Sequence, residues 1–147
     1  MNADEDIERL AEAENTLSPD IADHPAIVAL IESNQSFLIT DPKQPDNPIV
    51  YASQGFLDLT GFPLQRVLGR SCRFMQGPET DPGTVQKIRH AIDSGEDVSV
   101  CLLNYKADGS TFWNHLLITP VTNGCGEITH FLGVQFEVPG NQLNIIE

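Results

Sequence analysis

Gly69-Arg70-Ser71-Cys72-Arg73-Phe74-Met75-Gln76, continuing into Gly77-Pro78-Glu79-Thr80-Asp81, is the stretch around which the rest of the chain is ordered. It sets a cysteine, an arginine and a glutamine on one short segment just ahead of a helix. That grouping suits a segment that holds a reactive thiol against a planar, phosphorylated ligand. Asp81-Pro82 opens the helix: aspartate caps a first turn, and proline is tolerated where the backbone N–H lacks a helical partner. Ser94-Gly95 closes it after about Asp93.

On this helix Val85, Ile88, Arg89 and Ile92 fall at i, i+3, i+4 and i+7 and share one face. An arginine among aliphatics either snorkels past the core to water or offers a cation at the rim of an apolar wall to a phosphate. Three strands follow. Asp97 to Lys106 turns at Asp108-Gly109, a strong hairpin signal. Ser110 to Thr122 turns at Asn123-Gly124-Cys125-Gly126, and Glu127 to Val138 is the last. By alternation, Asn114, Leu116 and Ile118 share a face, as do Phe131, Gly133 and Gln135, with Asn104 on the first strand of the three. Three amides on inward positions are costly unless each finds a partner. They can pair with one another, or with a bound ring that alternates donors and acceptors. Gly133 suits the ring, because a missing side chain lets a flat group lie close to the sheet.

Upstream of the opening stretch, Ser36 to Thr40 and Ile49 to Ala52 read as strands. The proline-rich loop Asp41–Pro48 separates them. Ser53 caps a helix through Leu59 that stops at Gly61, and Leu64 to Leu68 makes a further turn. Ahead of these, residues 4–15 read as a helix with a thin apolar stripe. A second helix is expected near Asp23, as N-cap, with Pro25 in its first turn. The order is β-β-α-α-α-α-β-β-β, an α+β layout with a five-stranded antiparallel sheet.

Length and charge exclude several classes. At 147 residues this is one domain with short extensions. The net charge is −13, and residues 1–32 hold nine acids against Arg9 alone. Such a chain repels nucleic acid and anionic membranes. No apolar run nears the ~18–20 residues of a membrane span. The acidic start Met1–Asp6 is no signal peptide. Three cysteines without tight spacing argue against a disulfide framework and fit a reducing cytoplasm.

The opening stretch resembles the G-x-N-C-R-F-L-Q signature of LOV domains, the blue-light-sensing branch of the PAS family. The resemblance runs from about Phe37 to Val138. It implies a PAS/LOV fold: an N-terminal helical cap over residues 1–35, a core over 36–138 and a short tail over 139–147. It also implies a flavin pocket formed by Thr40, Asn47, Cys72, Arg73, Met75, Gln76, Val85, Ile88, Arg89, Ile92, Asn104, Asn114, Leu116, Ile118, Phe131, Gly133 and Gln135. In that scheme Asn104 and Asn114 read the pyrimidine edge, Arg73 and Arg89 pair with a phosphate, and Asn47 and Gln76 hold the ribityl chain. The loop between the short helices lacks the insertion that accommodates adenine, which favours FMN, or riboflavin, over FAD. Ser71 replaces the family's asparagine, Met75 its leucine and Leu116 its phenylalanine.

The function implied is a blue-light photoreceptor rather than an enzyme. On illumination Cys72 sulfur bonds reversibly to flavin C4a, and Gln135 reorients its amide as N5 gains a proton. Cys101 and Cys125 read as ordinary small residues. On the opposite sheet face Cys101, Leu103, Tyr105, Trp113, Leu117, Leu132, Val134 and Phe136 form an apolar surface too large to stay bare. Cap helices or a second copy would cover it, and a homodimer through cap and sheet is expected. The chain resembles short bacterial LOV proteins without an attached output, so a separate protein partner is implied. Rival readings are a flavin-binding PAS redox sensor or an interaction module without productive photochemistry. A flavoenzyme lacks a Gly-rich dinucleotide fingerprint. A haem or metal sensor is opposed by four scattered histidines, expected at the surface.

Overall fold

The computed structural model describes residues 15–139. The helix expected over residues 4–15, apart from its last residue Asn15, which is not helical, and the tail beyond 139 lie outside the described residues. The helices are α1 (Pro19–Ala22), α2 (Pro25–Glu32), α3 (Gln54–Thr60) and α4 (Pro82–Ser94). Two 3-10 turns, Leu64–Arg66 and Cys72–Met75, lie between α3 and α4. The strands are β1 (Phe37–Thr40), β2 (Ile49–Ala52), β3 (Val98–Tyr105), β4 (Thr111–Thr122) and β5 (Ile128–Val138). They form one antiparallel sheet in the order β2-β1-β5-β4-β3. The expected α+β architecture and its element order hold.

The local signals act as anticipated at most ends. The Ser53 hydroxyl accepts from Phe56 N–H and caps α3, which Gly61 ends. Asp81 Oδ2 accepts from both the backbone N–H and the hydroxyl of Thr84, and Pro82 occupies the first turn of α4. Gly109 sits at φ 87°, a conformation open to glycine, and completes the β3–β4 turn. The cap of α2 differs: His24, not Asp23, is the N-cap, and its Nδ1 accepts from Ala26 N–H. Proline at the first helical position fixes the cap one residue later than the carboxylate.

β1 is buried along its whole length, on both faces of the sheet. Its outward residues Phe37 and Ile39 pack with Ile21 and Ile27 of the cap helices and with Val121, Leu132 and Val134. Its inward residue Leu38 packs with Ile49, Ala52, Phe56, Phe62, Val67 and Met75. The outer face is therefore less bare than alternation alone suggests. Leu103, Leu132 and Val134 are buried, leaving Leu117 and Phe136 as its exposed large apolar groups among the described residues. Tyr105 leaves the open face too: its hydroxyl accepts from Glu79 N–H, and a Cβ at Gly77 would overlap its ring. The expectation of surface histidines fails at His130, which is buried beside the Thr129 hydroxyl. No described helix is long and apolar enough to cross a membrane.

Where the cap meets the core, α3 lies against the chain entering β1. A Cβ at Gly55 would collide with the backbone of Asn34, Gln35 and Ser36, which has no side-chain freedom with which to yield. Gly55→Ala is expected to lower unfolding free energy by about 1–3 kcal/mol, the usual cost of overpacking. A urea midpoint equal to that of the parent would contradict this packing.

Candidate functional site

The quoted stretch is tied down before it reaches its cysteine. Gly69 N–H donates to Ile49 O and Ile49 N–H to Arg70 O, each at 2.8 Å, so the segment rides on the start of β2. The Ser71 hydroxyl then accepts from Arg73 N–H at 3.3 Å and caps the 3-10 turn carrying Cys72. Downstream, the Thr80 hydroxyl donates to Leu103 O at 2.7 Å and accepts from Gly77 N–H. Both flanks of the stretch are thus fixed to the sheet.

Between this stretch, α4 and the inner sheet face lies a cavity of ≈ 510 Å³. Every residue assigned to a pocket from the sequence lines it. α4 contributes Val85, Ile88, Arg89 and Ile92. The sheet contributes Thr40, Asn104, Asn114, Leu116, Ile118, Phe131, Gly133 and Gln135. The quoted stretch contributes Cys72, Arg73, Met75 and Gln76, and the β1–β2 loop Asn47. Register explains the sheet wall. Gly133 lies between Leu38 and Ile118, and Gln135 pairs with Leu116. A Cβ on Gly133 would find its nearest protein atoms at 3.7–4.0 Å, ordinary contact distances. Packing therefore does not demand glycine there; a side chain would instead take up cavity space.

Five further residues line it beyond that assignment: Leu38, Asp46, Asp93 and Leu102, and Ser71, which the sequence reading noted only as a replacement of the family's asparagine. Alternation would have found two of them, because Leu38 shares its face with Thr40 and Leu102 with Asn104. Asp46 announces itself only in three dimensions. It sits at φ 67° beside Asn47 at φ 48°, left-handed conformations that Asp and Asn tolerate best among residues with a Cβ. This bend carries Asn47 to the cavity and sets Asp46 Oδ2 2.7 Å from Arg73 Nη2. Both partners are more than half exposed, so the ion pair contributes roughly 0–1 kcal/mol.

The polar lining is only partly satisfied. Asn104 Nδ2 donates to Met75 O at 3.2 Å, and Asn114 Nδ2 donates to Asn104 Oδ1 at 2.9 Å. The amides thus pair with one another in part. Three buried side-chain atoms among the described residues remain without a partner: Thr40 Oγ1, Asn47 Oδ1 and Asn114 Oδ1. All three belong to residues lining this cavity. Gln135 is buried and engaged at both ends, accepting from the Ser36 hydroxyl at 2.8 Å and donating to Gly133 O at 3.1 Å.

Cys72 is exposed by surface area, yet it lines the cavity, where surrounding protein still desolvates its sulfur. Burial pushes the thiol up from 9.0 to about 11, against smaller opposing effects of a backbone hydrogen bond and the Arg73 charge. It is therefore a neutral thiol at physiological pH.

Comparison with known proteins agrees with this geometry. A family model for the PAS domain matches residues 34–138. Phototropin-2 of Oryza sativa subsp. japonica is 50% identical over 107 residues, 73% of this chain and 12% of that protein. A blue-light-activated histidine kinase of Rhizobium johnstonii is 47% identical over 113 residues, 77% of this chain and 33% of the kinase. The chain thus spans only a minor part of these relatives. Among solved structures, a light-oxygen-voltage domain from work on a flavin analogue superposes with a TM-score of 0.80 at 54% identity. The match covers 84% of this chain and 91% of that one. With a PAS family model matched over most of its length and a light-oxygen-voltage domain 54% identical to it, the chain belongs to the LOV branch of the PAS superfamily.

Proposed function

We propose that this chain is a blue-light photoreceptor that holds a flavin in the cavity, FMN first and riboflavin as the alternative. Cys72 would supply the thiol that adds reversibly to the light-excited flavin, its proton passing to the ring nitrogen N5. The observation carrying this reading is the set of partnerless atoms Thr40 Oγ1, Asn47 Oδ1 and Asn114 Oδ1, all on residues that line one cavity. Each buried unsatisfied group costs about 1–3 kcal/mol. A flat ring that alternates a donor with acceptors along one edge, carrying a hydroxylated chain, would offer partners to all three. Bound there, the flavin supplies blue-light absorption and an excited state oxidising enough to engage a neutral thiol.

The chain's residues do the rest. Asn114, held by Asn104, offers its open oxygen to a ring N–H. Asn47 and Gln76 bind ribityl hydroxyls. Arg89 stands at the mouth as a phosphate partner, and Arg73 keeps donors beyond the one it gives Asp46. Val85, Ile88, Ile92, Leu116, Ile118 and Phe131 exclude water from the ring. The Gln135 amide can present either its donor or its acceptor end to the cavity and so can follow a change in protonation there. Such a cycle transforms no substrate. Signalling then passes through the cap, through a second copy or through a separate partner in the cytoplasm. A second copy would cover Leu117 and Phe136 on the outer sheet face.

An absorption spectrum in darkness, after blue light and during recovery tests the core reading. The purified protein is expected to lose its structured blue band on illumination and regain it spontaneously. Cys72→Ala should keep the flavin and lose the response. A yellow parent protein indifferent to light would instead mark a redox sensor. One that stays colourless after refolding with flavin would leave an interaction module.

The thiol has its own signature. With a pKa near 11, its thiolate fraction at pH 8 is on the order of 0.1%. In a Cys101→Ser, Cys125→Ser background without flavin, alkylation of Cys72 should rise tenfold per pH unit from 8 to 10. A rate levelling off by pH 9 would mean that the sulfur is not desolvated. For assembly, the elution mass is expected to be that of a dimer in darkness or in light. A monomer mass in both would remove the second copy from the scheme.

A further inference from the structure

Three consecutive residues of β3 hold the loop that follows the cysteine turn. Leu103 O accepts from the Thr80 hydroxyl at 2.7 Å, and that hydroxyl accepts from Gly77 N–H at 3.1 Å. Asn104 Nδ2 donates to Met75 O at 3.2 Å. The Tyr105 hydroxyl accepts from Glu79 N–H at 3.2 Å. The loop also closes on itself, Thr80 N–H donating to Gly77 O at 3.0 Å. The Tyr105 ring lies where a side chain of Gly77 would be: a Cβ there would overlap its Cδ2, Cε2 and Cζ. Gly77 does not have a positive φ. Space, not backbone conformation, demands glycine at this position.

Gln76 stands between these fixed points. Its N–H donates to Arg73 O at 3.0 Å, and it leaves the turn in extended backbone, φ −84° and ψ 156°. It lines the cavity, and Tyr105 is not among the lining residues. With Met75 O and Gly77 N–H both held, the backbone of Gln76 has little room to turn. The direction in which its side chain leaves is fixed with it. A carboxamide at the end of a long stem magnifies a small backbone rotation into a displacement, and hydrogen bonds weaken steeply once misaligned. A methyl group on Gly77, or a void in place of the ring, would therefore reach a ligand in the cavity through Gln76.

We propose that Tyr105 is the positioning residue of Gln76. Its ring, seated on Gly77, sets the backbone from which Gln76 reaches the hydroxylated chain of the flavin. This rests on the flavin reading, in which Gln76 binds ribityl hydroxyls. It adds a residue outside the cavity that acts on one part of the ligand. The amides Asn104 and Asn114 take their places from β3 and β4 themselves.

Affinity for FMN, titrated into flavin-free protein, tests this as a double-mutant cycle. Tyr105→Val should raise the Kd about threefold to tenfold, the size of one hydrogen bond lost. Tyr105→Phe, which keeps the ring on Gly77, should stay within about twofold of the parent. In a Gln76→Leu background the valine substitution should change the Kd by less than about twofold, because the side chain it acts through is gone. A parental Kd in Tyr105→Val, or the same loss with and without Gln76, would overturn the proposal. So would a phenylalanine variant as weak as the valine one, which would place the effect in the hydroxyl. If Tyr105→Val does not fold, Gly77→Ala, which pushes the ring off its seat, replaces it in both backgrounds and is held to the same outcomes. A parent protein that binds no FMN would remove the flavin reading and this inference with it. A parent that binds FMN with an additive cycle would remove this inference alone.

Discussion

The register of β1 against β5 is the constraint on which the rest depends. Phe37, Leu38, Ile39 and Thr40 face Val134, Gly133, Leu132 and Phe131, and β2 closes the other side. Joining the first core strand to the last costs loop entropy that is recovered only if the short strand buries nearly everything it has. It does so on both faces. A slip of one residue would turn Phe37 and Ile39 inward, fill the cavity and strand Thr40 among the cap residues. The cavity wall, the docking of the cap and the contact between Ser36 and Gln135 are three consequences of that one pairing.

The cavity is also where stability is given up. A core of this size would be firmer if the space beneath the sheet were filled and Asn104, Asn114 and Gln135 were aliphatic. Its polar atoms are instead held rigidly from behind. Asn104 is spent on Met75 O and Asn114, Gln135 on Ser36 and Gly133, and the quoted stretch on Ile49 and Leu103. What remains without a partner belongs to residues of the cavity wall, and a site whose groups are already held in place loses least to entropy on binding. Any ligand that binds the folded chain alone returns stability in proportion to the logarithm of its concentration over Kd.

Much of this was legible in the sequence because period and punctuation carried it. Alternation on β4 and β5 and the i, i+3, i+4, i+7 face of α4 place most of the wall. Asp81-Pro82, Ser94-Gly95 and Asp108-Gly109 place the element ends that orient it. The gaps have physical causes. Asp46 reaches the cavity through left-handed backbone, which no periodicity announces. Leu103, Leu132 and Val134 alternate outward yet are buried; for Leu132 and Val134 the cap supplies partners, and pattern alone gives the face of a residue but not what covers it. His24 displaced Asp23 as a cap because proline fixed the first turn. Ser36 looked like the start of a strand, and only the β1–β5 register shows which side chain it meets.

Cys72 shows how the local and the surrounding environment compete. It opens a helical turn and stands next to Arg73, and both features stabilise a thiolate. A surface cysteine so placed would react with any electrophile or oxidant in darkness. Desolvation by the cavity wall outweighs the nearby charge and raises the thiol to about 11. The thiolate is consequently scarce at physiological pH, and in the proposed reading the energy for bond formation comes from the absorbed photon. A light sensor needs that property: its trigger should respond to an absorbed photon and to little else. In the proposed reading the apolar wall that would shield a flavin ring from water also keeps the thiol protonated, so both properties arise from one packing arrangement.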